Sequence, residues 1–156
     1  MERVIKKLIE DNETISTMES CTGGGIADAI TNVPDASRVI KFSAVTYSNE
    51  FKIKMGVSSE LIDKYSVYSM EVAHSMAKNI SLYANSNYGV GITGKLKKVD
   101  INNMVGEDDV VYLSIYDKDF DKYYDKKIKL NFDTREENKQ QIINEFVKNM
   151  LNILEK

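Results

Sequence analysis

From Thr14 to Gly25 the chain reads Thr-Ile-Ser-Thr-Met-Glu-Ser-Cys-Thr-Gly-Gly-Gly. A β-prone run rises out of a loop and breaks at Ser20-Cys21-Thr22, and three glycines then open a helical period carried by Ile26, Ala29, Ile30 and Val33 as far as Pro34, where a helix must stop. Such a strand-to-helix junction is a building block of α/β folds. It also places two hydroxyls and a thiol beside the unpaired backbone N–H groups of a helix start, where an anion or a developing oxyanion can be held. Read alone, Ser20 or Thr22 is a helix cap. The rest of the chain decides whether it is more.

The other elements follow from periodicity. Residues 2–11 carry Val4, Ile5, Leu8 and Ile9 on one helical face. Residues 41–47 form a second strand, with Ser48-Asn49-Glu50 opening a helix through Lys52 that Gly56 closes. A short helical piece begins at Ser58, and Ser69 caps a longer helix with Val72, Ala73, Met76, Ala77 and Ile80 on its apolar face. Residues 88–94 are a third strand rich in glycine, as though something approaches it closely. A polar loop spans 95–109. Residues 110–116 and 123–132 form a hairpin around Asp117-Lys118-Asp119-Phe120-Asp121, and a helix capped by Asp133 or Thr134 runs to the end. The expected fold is a three-layer α/β/α sandwich on a mixed, mostly parallel five-stranded sheet, with residues 1–156 as one domain.

Composition narrows the function classes. A net charge of −3 gives no reason to expect nucleic acid or an anionic membrane as partner. No apolar run is long enough to span a bilayer, and the charged N-terminal residues do not read as a signal peptide. One cysteine and one histidine leave too few soft ligands for a structural zinc site, so no metal is expected. A cytoplasmic protein acting on a small molecule is the expectation. Asp117, Asp119 and Asp121 mimic a calcium loop, but Lys122 and Ile128 stand where its glycine and closing glutamate belong.

In open α/β sheets ligands sit beyond the carboxyl ends of parallel strands. Three polar groups fall at such ends: Ser20-Cys21-Thr22, Tyr47-Ser48-Asn49 with Lys52, and Thr93-Gly94. A serine nucleophile needs a base, and His74, on the helix after Ser69 and off its apolar face, reads as a solvated surface residue. A buried lysine can serve instead, and Lys52 is placed to do so. Cys21 ranks below Ser20 for want of a nearby histidine. Glu19 either orients its neighbours or pairs with a lysine.

The segments Glu19-Ser20-Cys21-Thr22-Gly23-Gly24, Thr46-Tyr47-Ser48-Asn49-Glu50-Phe51-Lys52, Val67-Tyr68-Ser69-Met70-Glu71-Val72-Ala73 and Gly91-Ile92-Thr93-Gly94 together resemble the CinA C-terminal domain family, which includes nicotinamide-nucleotide amidohydrolases. The resemblance implies deamidation of nicotinamide mononucleotide to nicotinic acid mononucleotide and ammonia, without metal or organic cofactor, by a stand-alone module of that family. It implies Ser20 as nucleophile, Lys52 as general base, and the backbone around Cys21, Thr22 and Gly23 as oxyanion site. Tyr47, Thr22, Thr93 and Gly94 would position the amide or tune the lysine, and Arg135 and Lys139 would face a substrate phosphate. Family members often self-associate, and the apolar faces here are compatible with a homo-oligomer.

The chain departs from the family pattern after Thr93-Gly94, where a Gly/Pro-rich loop is replaced by Lys95-Leu96-Lys97-Lys98-Val99-Asp100. Lys95, Lys97 and Lys98 are then candidate phosphate ligands. Lys139 stands where the family has arginine, keeping the charge but losing the bidentate fork. The altered loop leaves open a second reading, a binding or regulatory module that keeps the pocket without turnover.

Overall fold

A computed structural model describes residues 1–155. Helix α1 (Glu2–Glu10) leads into strand β1 (Ile15–Glu19), followed by α2 (Gly25–Thr31), a single 3-10 turn (Ala36–Arg38) and β2 (Ile40–Val45). Three helices come next, α3 (Asn49–Lys54), α4 (Ser59–Tyr65) and α5 (Met70–Ala84), then β3 (Tyr88–Gly94), the hairpin β4 (Val110–Asp117) and β5 (Lys122–Lys129), and α6 (Arg135–Leu154). The sheet order is β2-β1-β3-β4-β5, with β1 parallel to both of its neighbours and β3, β4 and β5 successively antiparallel. This is the expected mixed α/β sheet.

Side-chain alternation along the strands divides the core in two. Ile15, Val90 and Ile92 face α1, α2 and α6, meeting Val4, Leu8, Ile30, Ile142, Phe146 and Met150. Met18 faces the other way, into a smaller cluster with Val57, Ile62, Val72, Met76 and Ile80 of the α3–α5 layer. The glycines of β3 explain how closely that layer sits. A Cβ on Gly89 would lie 2.0 Å from the Ala77 carbonyl oxygen, and one on Gly91 would lie 2.2 Å from that of Ala73. What approaches the third strand is therefore helix α5, not a ligand.

Several boundaries differ from expectation for identifiable reasons. Of the three glycines after Thr22, only Gly25 opens the helix. Gly23 and Gly24 take left-handed backbone angles (φ 63° and 92°) in a tight turn, and α2 starts only at Gly25. The fifth strand ends at Lys129 rather than 132, because side chains of α6 take over the backbone donors: Asn131 N–H donates to Gln141 Oε1 and Phe132 N–H to Asn138 Oδ1. Asp117 does close the hairpin, its Oδ1 accepting from the N–H groups of Asp119 and Phe120.

The connections place the site. From β1 the chain crosses by α2 to β2 on one flank, then returns by α3–α5, on the opposite face, to β3 on the other flank. The carboxyl end of β1 is thus a switch point, where helices leave in opposite directions and open a crevice. Glu19 is in register with both Val45 and Ile92, so residues 20, 46 and 93 emerge at one level.

Candidate active site

Ser20 sits at the end of β1, and Lys52 one turn into α3, a helix capped by Ser48, whose hydroxyl accepts the Phe51 N–H. Although lysine seldom goes inside, Lys52 is 1% exposed. Its Nζ lies 2.7 Å from the Thr46 carbonyl oxygen, to which it donates, and 3.2 Å from Ser20 Oγ. These partners are neutral, so the charge on the amine has no carboxylate bonded to it. Burial pulls its pKa from 10.5 down to about 8, against a smaller upward pull from the Asp100 carboxylate. An amine with that pKa is partly neutral near physiological pH and can accept a proton from the hydroxyl beside it.

Cys21 is 3% exposed and packs into the larger core cluster. Burial pushes its thiol up to about 12, so it stays protonated and is a poor nucleophile. Its low rank as nucleophile follows from this burial more directly than from the lack of a histidine. His74 is not the solvated residue expected. Its Nε2 lies 2.7 Å from Asp125 Oδ2, and its ring stacks on Tyr123.

Glu19 orients the junction. Fully buried, it accepts hydrogen bonds at 2.6 to 3.1 Å from the hydroxyls of Thr17 and Thr22 and from the N–H groups of Ile26 and Ala27. Its negative charge at the start of α2 is favourable and satisfies donors that the helix leaves orphaned. The turn from Ser20 to Gly25 is tightened by Gly23 N–H to the Ser20 carbonyl and Gly25 N–H to that of Thr22. The hydroxyl of Thr22 is therefore committed to Glu19, and that of Thr93 to the Val67 carbonyl at 2.9 Å. Both threonines brace the backbone.

A cavity of about 550 Å³ opens above the Ser20–Lys52 pair, in the size range of small-molecule sites. Ser20, Cys21, Tyr47, Gly94 and Arg135 are among the expected residues that line it; Thr22, Gly23, Thr93 and Lys139 are not. Arg135 Nη2 lies 3.3 Å from the Tyr47 hydroxyl, bridging the start of α6 to the end of β2. Lys139 Nζ lies beside Gly23, 3.5 Å from where a Cβ would stand.

The loop 95–109 covers this cavity in a way the sequence did not suggest. Lys95 reaches the cavity lining, but its amine is taken up within the loop. Its side chain is buried, and its Nζ donates to the carbonyls of Met104 and Gly106 and to Asp108 Oδ1, at 3.1, 3.0 and 2.9 Å. Lys97 is outside the lining, whereas Lys98 is part of it. Tyr68 donates its hydroxyl to Asp100, and Asn49 donates from α3 to Asn103, so both ends of the crevice grip the loop. Asn49 belongs to the expected polar group after the second strand, whereas Tyr68, Asp100 and Asn103 are site residues that the sequence reading does not single out. The one local signal was Asp100-Ile101-Asn102, an Asx turn in which Asn102 N–H donates to Asp100 Oδ1.

Among the described residues, no helix is long and apolar enough to cross a membrane. A family model for the CinA C-terminal domain matches residues 1–156. A Clostridium perfringens protein provisionally named competence-damage inducible protein is 45% identical over 96 residues, covering 60% of this chain and 23% of that protein. The chain thus spans less than a quarter of the length of such curated relatives. A solved competence/damage inducible protein of Agrobacterium tumefaciens has a TM-score of 0.84 at 26% identity, over 99% of this chain and 95% of that one. A CinA superfamily protein of Escherichia coli reaches 0.87 at 23% identity, over 97% and 87%, a likeness of fold. Matched by the family model along its whole length, the chain belongs to the CinA C-terminal domain family.

Proposed function

We propose that this chain hydrolyses the carboxamide of nicotinamide mononucleotide, giving nicotinic acid mononucleotide and ammonia. The observation that carries the reading is the buried Lys52 amine, 3.2 Å from Ser20 Oγ and depressed in pKa to about 8. A merely structural lysine has little reason to sit in that environment.

In the neutral amine form, Lys52 takes the Ser20 hydroxyl proton as Oγ attacks the amide carbon. The backbone N–H of Cys21, next to the nucleophile and in the cavity lining, serves the oxyanion. The tetrahedral intermediate collapses by breaking the C–N bond, and the Lys52 ammonium returns its proton to the departing nitrogen, which leaves as ammonia. Water then attacks the acyl-serine ester, passing a proton through Lys52 back to Ser20 Oγ and releasing the acid. Arg135 and Lys98, both lining the cavity, supply positive charge for the phosphate.

The test is ammonia release from nicotinamide mononucleotide, followed together with formation of the acid. Turnover lost in Ser20→Ala and in Lys52→Met supports the mechanism, and activity that survives both substitutions sinks it. Thermal stabilisation by the nucleotide without ammonia release would instead assign the chain as a binding module.

A further inference from the structure

The loop 95–109 delivers a carboxylate to the cavity. Among the described residues that line it, Asp100 is the only acidic one, set against the cationic Lys98 and Arg135 and against Lys95, whose amine is already bonded within the loop. Asp100 is held from three sides. Its Oδ2 accepts from the Tyr68 hydroxyl at 2.5 Å and from Asn103 Nδ2 at 2.9 Å, and its Oδ1 accepts from Asn102 N–H at 2.9 Å. Asn103 is itself fixed by Asn49 Nδ2 at 2.9 Å, which ties the group to the helix carrying Lys52. All of these donors favour the ionised carboxylate, and the Tyr68 hydroxyl leads in holding it below the ordinary aspartate range. Asp100 lines the same cavity as Ser20, and its charge opposes the depression of the Lys52 amine.

A fixed negative charge so near a site for an anionic nucleotide calls for a positive counterpart. In an N-ribosylated pyridine carboxamide that counterpart is the ring nitrogen, which lies two bonds from the carbon bearing the amide. With the amide at Ser20, the ring charge cannot be far from the dyad. We propose that Asp100 is a specificity-determining residue whose carboxylate recognises the pyridinium ring, so that the site selects cationic over neutral ring amides. The inference rests on the function proposed above. The cavity is then electrically divided, with Asp100 toward the ring and Arg135 and Lys98 toward the phosphate.

The test compares nicotinamide mononucleotide with its 1,4-dihydro form, which has the same carboxamide, ribose and phosphate but an uncharged ring. Affinities are measured by calorimetry on the Ser20→Ala protein, so that turnover does not intrude. The expected result is binding of the oxidised form at least about tenfold tighter than the reduced form, equivalent to about 1.4 kcal/mol. Adding Asp100→Asn, which keeps the size and the acceptor oxygen, brings the ratio to below about threefold by weakening the oxidised form alone. Tyr68→Phe, which frees the carboxylate from one of its holders, gives an intermediate ratio and carries the same test should the Asp100 variant not fold. Equal affinities in the parent protein, or a ratio that none of these changes alters, overturns the inference while leaving the proposed hydrolysis standing. Failure of nicotinamide mononucleotide itself to bind overturns the proposed function, and the inference with it.

Discussion

The amine of Lys52 and the hydroxyl of Ser20 meet at 3.2 Å across the ends of two adjacent parallel strands, and only the hydroxyl lies at the cavity wall. The proposed base is thus reached from the cavity through the proposed nucleophile. Ser20→Ala is expected to lower the deamidation rate by at least ~10³-fold without loss of fold. Lys52→Arg is expected to be as inactive as Lys52→Met, because a guanidinium does not give up its proton in this range. Rates measured at saturating substrate, with circular dichroism to confirm folding, check both.

The sign of the pH dependence follows from the same amine. The active form is neutral, so kcat rises with pH and levels off above about 8. At pH 7 roughly one molecule in ten carries the neutral amine, given a one-unit gap from that pKa. A profile flat from pH 6 to 9 would exclude Lys52 as the base.

Stability is linked to the same shift. A lysine whose pKa falls from 10.5 to about 8 on folding binds fewer protons folded than unfolded between those values, so its contribution to stability improves as pH rises through that window. Below pH 8 the buried ammonium is a constant penalty of up to ~3 kcal/mol by the same linkage. Lys52→Met is therefore expected to be more stable than the parent at pH 7, with the advantage shrinking toward pH 10. Urea unfolding at several pH values measures it, and an advantage that does not change with pH would refute the linkage.

Glu19→Gln tests the brace beneath the nucleophile. All four donors at this carboxylate point at it, and an amide would turn an NH₂ group toward one of them. Destabilisation of about 3 kcal/mol is expected for a buried, charge-assisted cluster, together with a fall in kcat as the Ser20–Gly25 turn loosens. Chemical denaturation and turnover measured in parallel decide it, and an unchanged midpoint would show that the cluster does not hold α2.

Lys95→Met removes the ammonium that gathers the loop. Amides of residues 98–107 are expected to exchange with solvent at least tenfold faster, with KM raised more than kcat is lowered, since Ser20 and Lys52 stand on other elements. Hydrogen exchange followed by mass spectrometry reads the first part and steady-state kinetics the second. Unaltered exchange would mean that Tyr68 and Asn49 hold the loop without help.

The Ser20–Lys52 pairing was legible in the sequence because it depends on strand order and register, which periodicity and short connections encode. The division of the core was legible for the same reason: Val72, Ala73, Met76, Ala77 and Ile80 repeat at helical spacing and are all buried. The loop was not, because its shape depends on one lysine finding three acceptors nine to thirteen residues away and on a tyrosine from another element. No local pattern marks Lys95 as an interior residue beside Lys97 and Lys98. The threonines misled in the opposite direction. Thr22 and Thr93 stand where substrate contacts were expected, yet each hydroxyl has a nearer partner in the fold.

The Lys95 anchorage has a consequence for how such a protein can change. Its three acceptors and Lys95 itself all lie between β3 and β4, so the segment closes on itself; it leans on the rest through Tyr68, Asn49 and Ser66, through Lys127 and Lys129 of β5 at Glu107 and Asp109, and through Leu96 in the core. The residues proposed to break the bond stand on the sheet and its first helices, whereas the side chain proposed to choose the substrate rides on the loop between β3 and β4. Reactivity and selectivity occupy separate stretches of chain here. Replacing fifteen or so residues between two strands, a change that loop-closure entropy tolerates well, could then redirect the enzyme to another amide without disturbing the atoms that cut it.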